Sequence, residues 1–522
     1  MTIRRRILWA DDEIELLQPH IMFLDEHGYE IKGVTSGEDA VREVVKSDYD
    51  AVLLDEQMAG LDGIATLARI RKIRPDIPAV MITKSEEETT MNEAIGGRIN
   101  DYLTKPVNPS QILSVLKKLL EGISISRERL SRDYVKEFNQ INQEMLEPLE
   151  WYDWIDLYVR LTKWSLEIAT QRTSGLLSLL EEQIRSANSL FVKYIVDNYA
   201  EWIDAERGNR PPLSLDVVQK WVVPLLKRKE PILFLVLDCL RLDQWMAVEP
   251  MLRSDFTIET DYYYSILPTA TPYSRNSIFS GLFPKDFQSI HPDLWDKLKV
   301  NDEASVNRFE RQLMDRQLYN LGIILTPEPK YVKILDAEEA QRILRKSSDY
   351  FDIPLTSMVF NFVDFIAHHR STEEVIQTLI PDEAAYRSIV KAWFEHSPLY
   401  EMLRIFANRG ITILLTSDHG SIRVKRPAQV VGDKEASKNL RFKIGRNLQV
   451  SPKQAYRIRN AETWGLPARG VNDDYLLAFE DYYFVYRNEY NKYVELFNDS
   501  FLHGGISLEE MIVPIATLRA KV

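Results

Sequence analysis

The stretch Ile411-Thr412-Ile413-Leu414-Leu415-Thr416-Ser417-Asp418-His419-Gly420 decides the fold of the larger part of this chain. A mostly apolar run that stops in Asp-His-Gly predicts a buried parallel strand. Such a strand delivers a carboxylate and an imidazole to the carboxyl edge of an α/β sheet, where sites of this class lie. The same pair serves equally well as a satisfied core pair or a helix cap, so a functional reading depends on partners elsewhere.

Four further stretches supply them. Pro231 to Leu237 reads as a second buried strand ending in Asp238, with Cys239 beside it as a core thiol. Tyr262 to Leu267 reads as a strand, followed by Pro268-Thr269-Ala270-Thr271-Pro272 and a helix over Ser274 to Ser280. A hydroxyl on such a strand-to-helix turn is exposed and gains support from the helix N-terminus, which makes Thr271 a candidate nucleophile. Thr269 is the competing assignment, and a plain N-cap the simpler role.

The run Ser357 to Phe365 contains Asp364, with His368 four residues on, so a carboxylate and an imidazole share one helical face and can hold one ion. His369 points elsewhere. Last comes His503-Gly504-Gly505-Ile506-Ser507-Leu508-Glu509-Glu510-Met511, whose glycines permit close backbone approach before a final strand, Ile512 to Leu518. Asp238, Asp364, Asp418, His368, His419, His503 and Thr271 form a nitrogen and oxygen set suited to two Zn²⁺ ions, with Mn²⁺ also able to fit. Two ions about 4 Å apart would clamp both the attacking and the leaving oxygen of a phosphoryl displacement.

On these residues the segment resembles the alkaline phosphatase superfamily, most closely its PglZ branch. The resemblance implies one zinc held by Asp364, His368 and His503, a second held by Asp238, Asp418 and His419, and Thr271 bridging or attacking. Arg241 and Arg275, just after two of the site strands, are expected to pair with phosphate oxygens of the substrate.

The first 120 or so residues follow a different rhythm. Short strands at Ile7 to Ala10, Ile31 to Val34, Ala51 to Leu54, Ala79 to Ile82 and Asp101 to Leu103 alternate with helical patterns, predicting a doubly wound parallel sheet. Strand one ends in Asp11-Asp12 and strand three in Asp55, and three convergent carboxylates call for a cation such as Mg²⁺. Thr83 and Lys105 end strands four and five, where a hydroxyl and an ammonium can read an added phosphoryl group. Lys105-Pro106 is a candidate cis peptide.

Asp11, Asp12, Asp55, Thr83 and Lys105, with Tyr102 as an aromatic switch, resemble the receiver domain of two-component response regulators. The resemblance implies Asp55 as phospho-acceptor. Asp12, Asp55 and the Gln57 carbonyl would bind Mg²⁺, with Asp11 an acidic neighbour, and Thr83 and Lys105 would read the phosphate. The longer, polar stretch Gly96 to Asn100 departs from the family's usual small-residue turn.

Between these parts, residues 121–210 read as a helical connector. Trp151, Trp154, Tyr158, Leu161 and Ile168 form one apolar stripe, a second helical pattern runs from Leu176 to Tyr199, and Arg207 to Pro212 forms a loop. Such helices either pack plainly on their neighbours or transmit receiver state through changed packing or dimer contacts. The order receiver (1–120), connector (121–210), metallohydrolase (211–522) resembles PorX-type response regulators, associated with type IX secretion. That implies a cognate sensor histidine kinase and partners among secretion-motor components or a sigma factor. The receiver resemblance implies a homodimer on phosphorylation.

Composition sets the remaining limits. The net charge of −13, from 65 basic and 78 acidic residues, argues against duplex DNA as partner. A single cysteine excludes an intramolecular disulfide, and no apolar run reaches the ~18 residues of a membrane span, so a cytoplasmic setting is expected. Arg423, Lys425, Arg426, Lys434, Lys438, Arg441, Lys443 and Arg446 form a basic insertion with glycines at 432 and 445. It reads either as a solvated hairpin or as a lid attracting a nucleotide or oligonucleotide. The expected function is thus a response regulator controlling a zinc-dependent phosphohydrolase, diesters favoured over monoesters. A non-catalytic signalling scaffold with a structural metal site is the alternative, and phosphotransfer to an acceptor other than water a third.

Overall fold

The computed structural model describes residues 4–84, 99–171, 174–295, 308–370, 373–432, 439–468 and 473–521. Gly96 to Arg98 of the polar turn, and Lys434 and Lys438 of the basic insertion, lie outside the described residues. The chain forms two compact units, 1–135 and 136–522.

In the first unit, strands β1 (Arg5–Ala10), β2 (Tyr29–Val34), β3 (Ala51–Asp55), β4 (Ala79–Thr83) and β5 (Asp101–Thr104) form one sheet in the order β2-β1-β3-β4-β5. Every pairing is parallel. Helices Gln18–Glu26, Gly37–Lys46 and Gly63–Ile73 connect the first strands, and Pro109–Glu144 follows the last. The inner strands are apolar throughout because both sheet faces are covered, with Ile7, Trp9 and Leu53 packing on one side and Leu8, Val52 and Leu54 on the other. All five carboxyl ends therefore open on one edge, where Asp11, Asp55, Thr83 and Lys105 sit. The Lys105–Pro106 peptide is cis.

The second unit is built on a six-stranded sheet of β6 (Ile232–Leu237), β7 (Phe256–Tyr264), β8 (Lys330–Ile334), β9 (Leu355–Phe360), β10 (Thr412–Thr416) and the closing strand Ile512–Ala520, in the order β7, closing strand, β10-β6-β9-β8. The pairs β10-β6, β6-β9 and β8-β9 are parallel; the closing strand is antiparallel to both β10 and β7. This one reversal matters for the site. Because the closing strand runs against its neighbours, its beginning shares an edge with the ends of β6, β7, β9 and β10.

The connector forms two long helices, α1 (Trp151–Gln171) and α2 (Ser174–Asp204), both within this second unit. The apolar stripe of α1 is buried at Trp154, Tyr158, Leu161 and Ile168. An aromatic run continues it: Trp154 meets Phe191 at 5.4 Å, Trp202 meets Tyr264 at 5.4 Å, and Tyr199 stacks on Trp464 at 5.2 Å between ring centroids.

The basic insertion is neither a simple hairpin nor a free cationic lid. Its strands pair with later ones: Ile422–Arg423 with Phe501–Leu502, Arg426–Val430 with Tyr482–Tyr486, and Phe442–Arg446 with Asp473–Ala478. Three of its described cations pair with acids from later in the chain. Arg423 lies 3.0 Å from Asp499, Arg426 pairs with Glu480 and Asp481, and Arg441, fully buried, lies 2.6 Å from Glu510. Lys443 is buried over the Tyr486 ring.

Candidate active site and metal centres

The sheet edge of the second unit collects every residue assigned to the two zinc sets. Asp238 follows β6; Asp418 and His419 follow β10. Asp364 and His368 lie one turn apart on α3 (Phe362–His369), which begins two residues after β9, and His503 precedes the closing strand. Two groups result, Asp364 with His368 and His503, and Asp238 with Asp418 and His419. Within each, one donor atom per residue lies within 4.8 Å of the others.

In the first group, Asp364 Oδ1 is 3.3 Å from His368 Nε2 and 3.4 Å from His503 Nε2, and the two imidazole nitrogens are 3.3 Å apart. In the second, His419 Nε2 lies 3.7 Å from Asp418 Oδ2 and 3.9 Å from Asp238 Oδ1. The groups adjoin, since the rings of His419 and His503 stack at 4.2 Å.

The donors fit divalent metal ions. His503 Nδ1 faces the Thr269 carbonyl at 3.2 Å and His419 Nδ1 faces the Gly420 carbonyl at 3.1 Å. A carbonyl only accepts, so each Nδ1 carries the proton and each Nε2 keeps its lone pair for a metal. Asp418 Oδ2 is buried without a hydrogen-bond partner. Burial and the neighbouring Asp238 push Asp418 well above the usual carboxylate range, the condition that a bound cation relieves. Asp364 Oδ1 is likewise buried without a hydrogen-bond partner, facing the Nε2 atoms of His368 and His503.

Thr271 opens α4 (Thr271–Ser280), with Ala270 as the capping residue, so its helix starts three residues earlier than the sequence pattern indicates. Its Oγ1 lies 3.1 Å from His419 Nε2 and 3.4 Å from Asp238 Oδ1. Thr269 is differently employed: fully buried, its hydroxyl donates to the Gly505 carbonyl at 2.9 Å and accepts from Gly504 N at 3.0 Å. It pins the glycine turn, and Thr271 is the hydroxyl at the donor groups. The turn also needs its glycines. Gly504 has φ of +121°, and a Cβ at Gly505 would stand 2.4 Å from Arg441 Nη2 and 2.5 Å from the Ala478 carbonyl.

Arg241 and Arg275, expected to contact substrate, are both engaged by carboxylates of the chain itself. Arg275 is buried, donating from Nη1 to Asp238 Oδ2 at 2.6 Å and from Nε to Glu310 Oε1 at 2.6 Å. It braces Asp238 from behind. Arg241, also buried, donates to both oxygens of Asp243 at 2.9 and 3.0 Å and pairs with Glu383. Desolvation makes pairing obligatory for such guanidinium groups, and carboxylates distant in sequence satisfy them.

Several site-supporting residues carried no sequence signal. Glu310 starts a polar helix, Glu310–Asn320, and nothing in its neighbourhood marks it as buried. Glu510, within the glycine stretch, accepts from Gly505 N at 2.8 Å, Ser507 Oγ at 2.6 Å and Arg441 Nη2 at 2.6 Å. From α2, Asn188 accepts from Leu508 N at 2.8 Å and donates to Glu509 at 3.0 Å, and the Tyr199 hydroxyl accepts from Leu267 N at 2.9 Å. One helix thereby touches both the segment leading to Thr271 and the one following His503.

In the first unit, Asp11, Asp12 and Asp55 form a third group of donors within 4.8 Å of one another. Lys105 Nζ lies 2.7 Å from Asp55 Oδ2 and 3.1 Å from Asp11 Oδ2. Asp55 Oδ1 accepts from Gln57 N at 3.4 Å. Burial pushes the Asp55 carboxyl up against the pull of Lys105. Thr83 is buried at the end of β4, and Tyr102 is partly buried against the core beside it.

The family matches define the class, a response regulator with an alkaline-phosphatase-like domain. Residues 7–117 match the response regulator receiver domain, 124–203 the PorX response regulator linker domain, and 217–518 the BREX system PglZ alkaline phosphatase-like domain. The chain belongs to the PglZ family and, with the three segments in this order, to the PorX-type response regulators.

Among curated proteins it is similar to the transcriptional regulatory protein TcrA of Mycobacterium tuberculosis, 36% identical over 114 residues that cover 22% of this chain and 45% of TcrA. It is also similar to ResD of Bacillus subtilis, 31% identical over 123 residues covering 24% and 51%. The chain spans about half the length of these relatives. Among solved structures, the response regulator TrrA of Thermotoga maritima in complex with Mg(2+)-BeF is 30% identical, with TM-score 0.21, covering 22% of this chain and 99% of that one. Chemotaxis protein CheY4 of Vibrio cholerae is 26% identical, with TM-score 0.21 and coverage of 22% and 99%.

Proposed function

We propose that Asp55, phosphorylated by a cognate sensor histidine kinase, controls a zinc-dependent phosphohydrolase that works through Thr271. The functional boundaries fall near residues 120 and 210. The observation that carries the reading is Thr271 Oγ1, at a helix start and within 3.4 Å of donors from two other strands. Attack of Oγ1 on phosphorus forms the Oγ1–P bond as the bond to the leaving alcohol breaks. Water then cleaves the phospho-threonine, releasing the phosphoryl product and restoring the hydroxyl.

Zinc ions held by Asp364, His368 and His503 and by Asp238, Asp418 and His419 would supply Lewis-acid stabilisation of charge on the phosphoryl oxygens. Magnesium held by Asp12, Asp55 and the Gln57 carbonyl would neutralise charge during transfer to Asp55. Lys105 stands ready to pair with the acquired phosphoryl group. His368, with 41% of its side chain exposed, leaves the Asp364 group open to solvent, as a catalytic site requires and a closed structural site does not, while the Asp238 group is buried. Diesters are the favoured substrates. Arg241 and Arg275 are both engaged by carboxylates, and a monoanionic diester demands less added positive charge than a dianionic monoester.

The protein acts in the cytoplasm in control of type IX secretion, through secretion-motor components or a sigma factor, and dimerises when phosphorylated. None of the described helices is long and apolar enough to cross a membrane.

The test is elemental analysis beside hydrolysis of bis(p-nitrophenyl) phosphate by wild type and Thr271→Ala. About two zincs per chain, with turnover lost in the variant, supports the reading. Bound metal without Thr271-dependent turnover would leave a scaffold. Light scattering with beryllofluoride should show a doubled mass for wild type and none for Asp55→Asn.

A further inference from the structure

A cavity of about 830 Å³ lies within the second unit, between α1 and α2 on one side and the segments carrying Arg241, Glu383 and Glu509 on the other. Its volume is in the range of small-molecule sites. Leu161, Leu166, Leu180, Ile184 and Ile422 give it an apolar wall, and Arg185 and Lys391 stand on its exposed rim.

Arg241 also lines the cavity. It is only 5% exposed, and while Nε and Nη2 are taken by Asp243 and Glu383, Nη1 has no hydrogen-bond partner. A buried guanidinium N–H left unmade is what a ligand acceptor would complete. An apolar wall and one unmet guanidinium N–H within select a small amphipathic anion, an aliphatic or aromatic body ending in carboxylate or phosphate, while Glu181 and Asp382 share the exposed rim with Arg185 and Lys391.

We propose that this cavity is an effector site for such an anion, separate from the metal centres but mechanically joined to them. The joint is Gly420, the residue after His419. A Cβ there would stand 1.9 Å from the Glu509 carbonyl oxygen, so that carbonyl occupies the side-chain space of Gly420, and 3.6 Å from Arg241 Cγ, an ordinary packing distance. Arg241 also follows Asp238 by three residues on the exit from β6. A headgroup on Nη1 therefore acts on the segments carrying Asp238, Asp418 and His419. Since α2 forms the opposite wall, the same occupant also bears on Asn188 and its bonds to Leu508 and Glu509.

Binding is tested on the full zinc-loaded chain with 1-anilinonaphthalene-8-sulfonate as fluorescent probe and with decanoate and decyl phosphate as competitors. One saturable site per chain is expected. It should weaken at least tenfold in Ala169→Trp, which fills the cavity, and in Lys391→Glu, which reverses a rim charge and needs no repacking. The better competitor identifies the headgroup. Probe binding unchanged in both variants overturns the site.

The effector role rests on the hydrolase reading and is measured separately. Saturating competitor should change the rate of bis(p-nitrophenyl) phosphate hydrolysis at least twofold in wild type and leave Ala169→Trp unmoved. An unmoved wild-type rate overturns the effector role, whereas absence of any Thr271-dependent rate overturns the hydrolase and leaves the binding result standing.

Discussion

Arg275 Nη1 donates to Asp238 Oδ2 at 2.6 Å, and both side chains are 1% exposed. The guanidinium thus neutralises one oxygen of a candidate metal-ligand carboxylate while its Nε serves Glu310. Arg275→Ala strands two buried carboxylates and should cost about 3–5 kcal/mol of stability, together with zinc from the Asp238 group. Urea unfolding and metal content measure both effects. A variant of wild-type stability with only a raised KM would return Arg275 to a substrate role.

The two threonines should separate cleanly. Thr271→Ala is expected to lose at least about 10³-fold in turnover at unchanged stability, while Thr271→Ser keeps an attacking hydroxyl. Thr269→Ala removes two buried hydrogen bonds and should destabilise by about 1–3 kcal/mol. Rates and denaturation midpoints of the three variants decide this, and equal turnover in Thr271→Ala and wild type would remove Thr271 as nucleophile.

Chelation should lower the melting temperature, because a ligand present at about 1,000 times its Kd contributes about 4 kcal/mol to the folded state. His368→Ala should retain the metal of the Asp238 group and lose the other. Calorimetry with and without chelator, beside elemental analysis, tests this. Wild-type zinc content in the variant would show that the Asp364 group is not a metal site.

Glu509 supplies a pH dependence. Burial pushes its carboxyl from an ordinary 4.5 up to about 7. A raised acid is protonated in the folded chain while already ionised in the unfolded one, so its contribution to stability is lost as pH rises from about 4.5 to about 7. The loss is on the order of 3 kcal/mol. Glu509→Gln keeps an acceptor for Asn188 and should match wild type near pH 4, then exceed it at pH 8. Denaturant titrations at both pH values are the measurement, and parallel curves would contradict the assignment.

Much of this was legible in local pattern. The strands ending at Ala10, Leu54 and Leu237 read directly because two-sided burial leaves continuous apolar runs, and a polar residue then marks where the run meets the sheet edge. Asp364 and His368 were legible because a helix places i and i+4 on one face. The charged groups were not. Arg423, Arg426 and Arg441 look alike in sequence as free cations, and Arg275 looks like a phosphate ligand. Their fates depend on Asp499, Glu480, Glu510 and Glu310, which no local spacing connects to them.

By itself, then, the sequence determined two α/β units, a receiver-type acid cluster and the residues that meet in the two candidate donor groups, since hydrophobic period and strand-end chemistry are local properties. Only the tertiary structure decided that Thr269 pins the glycine turn, that Arg275 braces Asp238, and that α2 binds the segments flanking the site. Those outcomes are set by which distant groups share a desolvated space, where every buried charge and hydrogen-bonding atom must find its partner.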